Sequence, residues 1–268
     1  MMVLILINLV SIFGYATFGL HPELLAKYSW APPIFAASYP VFAQLQIVIG
    51  FWVIANECQK TLGTKWIKFL FAAATISFFM EYLGTTRGIP FGKYSYTSLL
   101  GWKIAEHVPL LIPLSWFFMS LPSYWIARQI LGPTQGRLVT IILGSVLLMT
   151  WDLTLDPAMS HLTPFWIWEG AGNSVLKMPI MNLVGWIFTG LLILTAYELI
   201  SLPPSPKWNR DLFPIKFYAA NLLLPFGLAV VGEMWISVSA TLVILLLCFG
   251  LAHANGRTRV LGVLGTES

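Results

Sequence analysis

Eight runs of about 20 apolar residues, separated by short polar stretches, constrain this chain more than any other feature. A bilayer core about 30 Å thick is crossed by roughly 20 helical residues. The runs cover approximately residues 2–20, 34–55, 66–83, 108–127, 138–155, 178–200, 214–231 and 234–252. Composition agrees, with 57% hydrophobic and only 10% charged residues, against about 25% charged in soluble domains. So few charges cannot build a water-facing surface for 268 residues. The expected fold is therefore all-α: a polytopic integral membrane helical bundle of about eight transmembrane helices forming one membrane domain. An ordinary soluble enzyme is excluded, and so is disorder, because 15% aromatic content with sparse charge is the reverse of a disordered composition. The net charge of +4 is spread along the membrane edges without a basic cluster, so nucleic acid is not an expected partner. Cys58 and Cys248 sit beside apolar runs without metal-type spacing and read as packing residues. The first run lacks a preceding basic stretch and a following small-residue cleavage site, so it reads as a retained helix.

Two connections differ from ordinary linkers. Residues 84–107 and 156–177 are long and rich in Gly, Pro, Tyr and Trp. The segment 201–214, with Pro203, Pro204 and Pro206 among Lys207 and Arg210, looks like a plain solvent linker. It divides a core at 34–200 from a possible two-helix C-terminal appendix at 214–252. Cytoplasmic loops carry the excess of Lys and Arg. Lys60, Lys65, Lys68, Arg128, Arg137, Lys207, Arg210, Lys216, Arg257 and Arg259 fall on one side. Lys27, Arg87, Lys93, Lys103 and Lys177 fall on the other. Both termini are expected to be cytoplasmic. Because two helices separate the two unusual loops, those loops are expected on one shared face.

That face collects the polar residues that stand out from the apolar background: Glu81, Glu106 and His107 at the start of the fourth helix, Asp152, Asp156 and Asn182. A carboxylate facing lipid costs about 2.5–3.5 kcal/mol on insertion scales, so these groups are expected to face one another or a wet cavity. The sharpest signal is Trp151-Asp152-Leu153-Thr154-Leu155-Asp156-Pro157. Residues four apart share a helical face, and two carboxylates held close where water is scarce do not both ionise easily, which leaves one as a proton donor. The plainer alternative is that Asp156 stops the helix before Pro157 while Asp152 bonds a neighbour. Glu81 precedes a turn-rich stretch and has two readings, a partner for Arg87 or a cavity carboxylate. Gly88, Gly92 and Gly101 are expected to permit tight turns. Tyr94 and Tyr96 point the same way if extended, as do Trp166 and Trp168 near Glu169. Each pair is either an aromatic wall or an interfacial belt. Asn182 follows Pro179 in a first helical turn, where its amide can orient a carboxylate or a water. His107 and His161 read as structural.

The chain has no His-Glu-x-x-His motif, no Gly-rich phosphate loop, no dinucleotide-binding fingerprint and too few histidines for multi-histidine iron. These absences leave redox and nucleotide chemistry without support. With the residues above in hand, the chain resembles the carotenoid biosynthesis membrane proteins of the CruF type, the carotenoid 1,2-hydratases. The resemblance is carried by Glu81-Tyr82-Leu83-Gly84-Thr85, Gly88-Ile89-Pro90-Phe91-Gly92-Lys93-Tyr94-Ser95-Tyr96, and Val108-Pro109 with Ile112-Pro113-Leu114-Ser115-Trp116. It continues through the Trp151 to Pro157 run, Phe165-Trp166-Ile167-Trp168, and Met178-Pro179-Ile180-Met181-Asn182-Leu183-Val184-Gly185-Trp186. It covers roughly residues 81–190 and departs at Leu176 and Lys177, where an aromatic-Gly pair is expected.

The resemblance implies hydration of the terminal double bond of a linear carotenoid end group, such as that of γ-carotene or lycopene, to a tertiary alcohol. Linear carotenoid, water and membrane lipid are the implied partners, no cofactor or metal is needed, and a bacterial cell membrane is the expected setting. The expected catalytic groups are Asp152, Asp156 and Glu81. Tyr94, Tyr96, Trp151, Trp166, Trp168, Asn182 and Arg87 are expected to contact substrate. Two rivals stay open. Asp152-x-x-x-Asp156 also looks like half of the paired motif by which membrane prenyltransferases hold magnesium and a diphosphate, and a non-enzymatic carotenoid carrier would need no chemistry at all.

Overall fold

In hydrocarbon every backbone N–H and C=O must be satisfied within the chain, which leaves the helix as the available form for an isolated apolar run. The computed structural model describes residues 1–132, 134–170, 176–200, 208 and 212–257. Its helices are α1 (Met2–Gly14), α2 (Pro22–Leu25), α3 (Ala31–Leu62), α4 (Trp66–Arg87), α5 (Leu111–Leu131), α6 (Arg137–Pro157), α7 (Ile180–Leu199), α8 (Phe213–Val231) and α9 (Trp235–Ala254). Apart from the short α2, each coincides with one of the eight apolar runs. Six stretches are long and apolar enough to cross a membrane, and one of them, Ala31–Arg87, contains both α3 and α4.

The long helix outside those stretches is α5, and its position explains its composition. It packs against α3, α4, α6, α7, α8 and α9, and 18 of its 21 residues are buried. A helix surrounded by protein needs no lipid-compatible surface, so α5 carries Ser115, Ser120, Ser123 and Gln129 inside the bundle. Ser120 and Ser123 donate to the carbonyls of Trp116 and Met119 one turn back, at 2.6 and 2.8 Å. The outer helices show the opposite pattern, with Leu6, Phe13, Val184, Leu246 and Leu247 exposed to the surroundings. The C-terminal α8 and α9 pack against α5 and α6, and α8 also against α1. The proline-rich linker at 201–214 lies mostly outside the described residues.

Both long loops fold. Strand β1 (Tyr94–Tyr96), the hairpin of β2 (Lys103–Ile104) with β3 (Val108–Pro109), and β4 (Trp166–Trp168) form two small antiparallel sheets. Strand β1 pairs with β4, with Tyr94 opposite Trp168 and Tyr96 opposite Trp166. The loops therefore meet at one end of the bundle, as the helix count requires. Glu106 and His107 correct the sequence reading. They belong to the β2–β3 turn rather than to the start of a helix, because the hairpin carries the chain to Leu111 before α5 begins. Ala105 and Glu106 adopt positive φ values of 50° and 64° there, Glu106 is exposed, and His107 sets its edge against Tyr82 at 5.3 Å.

Cysteines introduced at exposed Trp102 and Ile167 test this arrangement, since Cys58 and Cys248 are buried and leave a low background. A membrane-impermeant maleimide is expected to label both positions in intact cells, given the bias of Lys and Arg to the opposite face. Labelling of both only after lysis would reverse the orientation; labelling of one alone would contradict the strand pairing.

Candidate active site

Glu81 lies one turn and a half before the end of α4. Gly88 closes that helix in the left-handed conformation (φ 74°), with its N–H on the Gly84 carbonyl at 3.0 Å. The chain then doubles back, so Phe91 and Tyr94 cover the last turns of α4. Gly84 makes this possible, because a Cβ there would stand 2.9 Å from both rings. Tyr94 and Tyr96 alternate with exposed Ser95 and point inward. Their hydroxyls both donate to Glu81 Oε2, that of Tyr96 at 2.8 Å. Trp116 of α5 donates its indole N–H to Glu81 Oε1 at 2.7 Å. Arg87 is exposed and plays no part. Burial first, and the Glu81 carboxylate second, push both tyrosine hydroxyls well above the usual phenol value. They therefore remain protonated donors. Hydrogen bonds to charged groups contribute about 1.5–3 kcal/mol each, so the three donors offset part of the cost of burying this carboxylate.

The second half of the site is built on α6. Asp152 and Asp156, one turn apart, are both buried. Pro157 does not stop the helix. It is followed by a wide π-type turn over Ala158–Leu162, a form of local widening frequent at functional sites. Ser160 donates to the Asp156 carbonyl at 2.7 Å. The chain then turns back through Phe165, whose N–H bonds the Met159 carbonyl at 2.8 Å, into β4. This return brings both indoles onto Asp156, and its Oδ1 accepts from Trp166 at 3.1 Å and Trp168 at 2.7 Å. Asn182, in the first turn of α7, bridges the two aspartates through its amide nitrogen, at 2.7 Å to Asp152 Oδ2 and 2.8 Å to Asp156 Oδ2. Asp156 thus receives three side-chain donors and Asp152 one. Asp152 Oδ1 is buried with no hydrogen-bond partner among the described residues.

The halves close on a cavity of about 40 Å³ that holds all three carboxylates, with Tyr94, Tyr96, Trp166, Trp168 and Asn182 in its wall. The aromatic pairs interlock across β1 and β4, with ring centroids 4.7 Å apart for Tyr94–Trp168 and 5.9 Å for Tyr96–Trp166. Of the ten residues expected to act in catalysis or contact substrate, two lie outside this wall. Arg87 is on the outer surface. Trp151 sits behind, donating to the Asn221 carbonyl at 3.2 Å and placing its ring 5.9 Å from Trp186. His161 and Glu169 are exposed, and Glu169 pairs with Lys93 at 3.0 Å.

Sequence reasoning did not assign roles to Phe91, Ser115, Trp116 and Trp186, which complete the wall. Trp116 and Trp186 stack at 4.1 Å with 22° between planes. An available signal was chemical: a carboxylate at this depth demands donors, and an indole in a facing apolar run is one. Among the described residues the lining carries no lysine or arginine to meet a diphosphate. Among the described residues no group of three or more His, Cys, Asp or Glu is arranged to hold a metal ion.

With this geometry in place, comparison with known proteins gives three findings. Residues 42–248 match the family described as carotenoid biosynthesis protein, a span that contains the whole site. Bisanhydrobacterioruberin hydratase of Haloarcula japonica is 27% identical over 184 residues, covering 62% of this chain and 62% of the relative. The chain thus spans about 62% of that relative's length. No solved structure matches. Matched over most of its length, site included, the chain belongs to the carotenoid biosynthesis protein family.

Proposed function

We propose that the protein is a carotenoid hydratase, adding water across the terminal double bond of a linear carotenoid end group, such as that of γ-carotene or lycopene, to give a tertiary alcohol. The observation that carries this reading is the unequal dressing of the three carboxylates around one cavity. Glu81 and Asp156, with three side-chain donors each, suit the ionised form. Asp152, with a single donor and a bare Oδ1, suits the neutral acid, since one hydrogen bond of about 1.5–3 kcal/mol does not securely offset an anion there. Membership of the carotenoid family and a relative named as a hydratase support the choice of substrate class.

In this scheme the Asp152 Oδ1 proton passes to C2 of the terminal isopropylidene group. The π electrons form the new C–H bond and leave a tertiary cation at C1. Tyr94, Tyr96, Trp166 and Trp168 surround that cation, each aromatic face contributing about 0.5–2 kcal/mol. Water attacks C1, giving up a proton to Glu81 as base. The Asn182 amide, which donates to Asp152 Oδ2, steadies the charge left on the donor until a proton returns to it from Glu81. Each positioned acid or base contributes about 100-fold to 10,000-fold. The cavity of about 40 Å³ has room for water, which needs roughly 10–15 Å³, and its aromatic walls must part to admit the end group. The bias of Lys and Arg supports cytoplasmic termini and a site on the outer face.

Expression in a lycopene- or γ-carotene-producing host tests the reading directly. Pigment mass should rise by one water; bound but unchanged pigment would make the protein a carrier. Asp152→Asn removes the transferable proton and should lower turnover at least 100-fold while pigment still binds. In deuterated water the product should carry deuterium at C2 and hydroxyl at C1. Deuterium elsewhere defeats the cationic scheme, and near-normal turnover by a folded Asp152→Asn protein shifts the acid to another carboxylate.

Turnover is also expected to persist in chelator without added divalent metal. Loss of activity that magnesium restores would favour the diphosphate reading of the two aspartates.

A further inference from the structure

A second cavity lies beside the carboxylate site and differs from it in size and in polarity. It has a volume of about 440 Å³, within the roughly 300–1,000 Å³ common for small-molecule sites. Its walls come from α1, α2, α3, the 158–162 turn and α8, and its surface is almost wholly apolar. Tyr15, Phe18, Phe35 and Tyr39 form one flank as a chain of edge-to-face rings, with centroids 4.8–6.4 Å apart. Two features tie it to the reaction. Met159, Thr163 and Phe165 line it, while Asp156 before them and Trp166 after them line the carboxylate cavity. One short segment is therefore a wall of both. In addition, Tyr15 is nine-tenths buried, and neither its hydroxyl nor that of Tyr39 has a hydrogen-bond partner among the described residues.

Resting on the hydratase reading above, we infer that this cavity binds the conjugated polyene chain of the substrate, delivering its end group past Phe165 to the three carboxylates. A saturated acyl chain would fill the same apolar space through dispersion alone, with no π face for the rings and no acceptor for the unpaired hydroxyls. A flat polyene presents a π face to the rings and a weak acceptor to the hydroxyls. Most of the lining precedes residue 42, where the family match begins. The chain-length and shape preference thus resides in this protein's own N-terminal helices rather than in the shared site.

Gly14 offers a clean test. It lines the cavity, and a Cβ added there meets nothing within 4 Å, so the side chain of Gly14→Phe starts from open space and adds a ring at the cavity wall. Gly250 of α9 is equally open and lines neither cavity, which makes Gly250→Phe the control. Both changes are made in the Asp152→Asn protein, and lycopene or γ-carotene retained on purification is measured by absorbance and phospholipid by mass spectrometry. Gly14→Phe should lower retained polyene at least tenfold, with Gly250→Phe unaffected. In the active protein, Gly14→Phe should raise KM at least tenfold. Should Gly14→Phe fail to fold, Ala43→Phe on α3 gives the same readout. Wild-type polyene retention in folded Gly14→Phe overturns the inference, as does loss of a phospholipid with polyene retained. Polyene binding that Gly14→Phe abolishes, in a protein that adds no water, would leave this cavity in place and remove the hydratase reading.

Discussion

Three carboxylates held inside a lipid-embedded bundle set the terms for everything around them. Water cannot be relied on to solvate them, so donors must come from the chain, and each donor has to be carried there by a separate element. Trp116 arrives on α5, Tyr94 and Tyr96 on β1, Trp166 and Trp168 on β4, and Asn182 on α7. The folded loops, the left-handed end of α4 at Gly88 and the widened turn after Pro157 all serve that delivery. The aromatic character of the donors matters as well. Indoles and phenols solvate an anion through an edge while presenting an apolar face, so one set of side chains suits both a buried carboxylate and a hydrocarbon substrate.

Most of the architecture was legible in the sequence because its cause is one-dimensional. Apolar runs of spanning length appear directly as helices, and alternate-side counting places 84–107 and 156–177 at the same end. Asp152 and Asp156 were legible because helical spacing is local, and the Tyr and Trp pairs because a two-residue period has one meaning in an extended strand. The choice between wall and interfacial belt was not legible. That depends on β1 meeting β4 in a particular register, a contact between segments some 70 residues apart. For the same reason Trp116 looked like one more apolar residue of its run, and Glu81 kept two readings, a partner for Arg87 or a cavity carboxylate, which only its contacts with Trp116 and two tyrosines separate. Glu106 and His107 were misplaced because a short hairpin is hard to distinguish from a helix start when Pro109 and Pro113 suit either.

Composition misleads in one instructive case. The long helix that falls outside the stretches apolar enough to cross a membrane, α5, is the most enclosed. Its serines and Gln129 are tolerated because neighbouring helices replace lipid on every side, and it then supplies Trp116 from the centre of the bundle. Hydropathy measures what a segment presents to the bilayer, and for a central helix that quantity is close to irrelevant.

The pairing of β1 with β4 also limits how such a protein can change. Tyr94 and Tyr96 dress Glu81, Trp166 and Trp168 dress Asp156, and the two strands hold each other in register. A loop transplanted alone from a relative would bring donors for one carboxylate while losing the template that aligns the donors for the other. The two loops form one structural unit despite their distance along the chain, and productive chimeras must exchange them together.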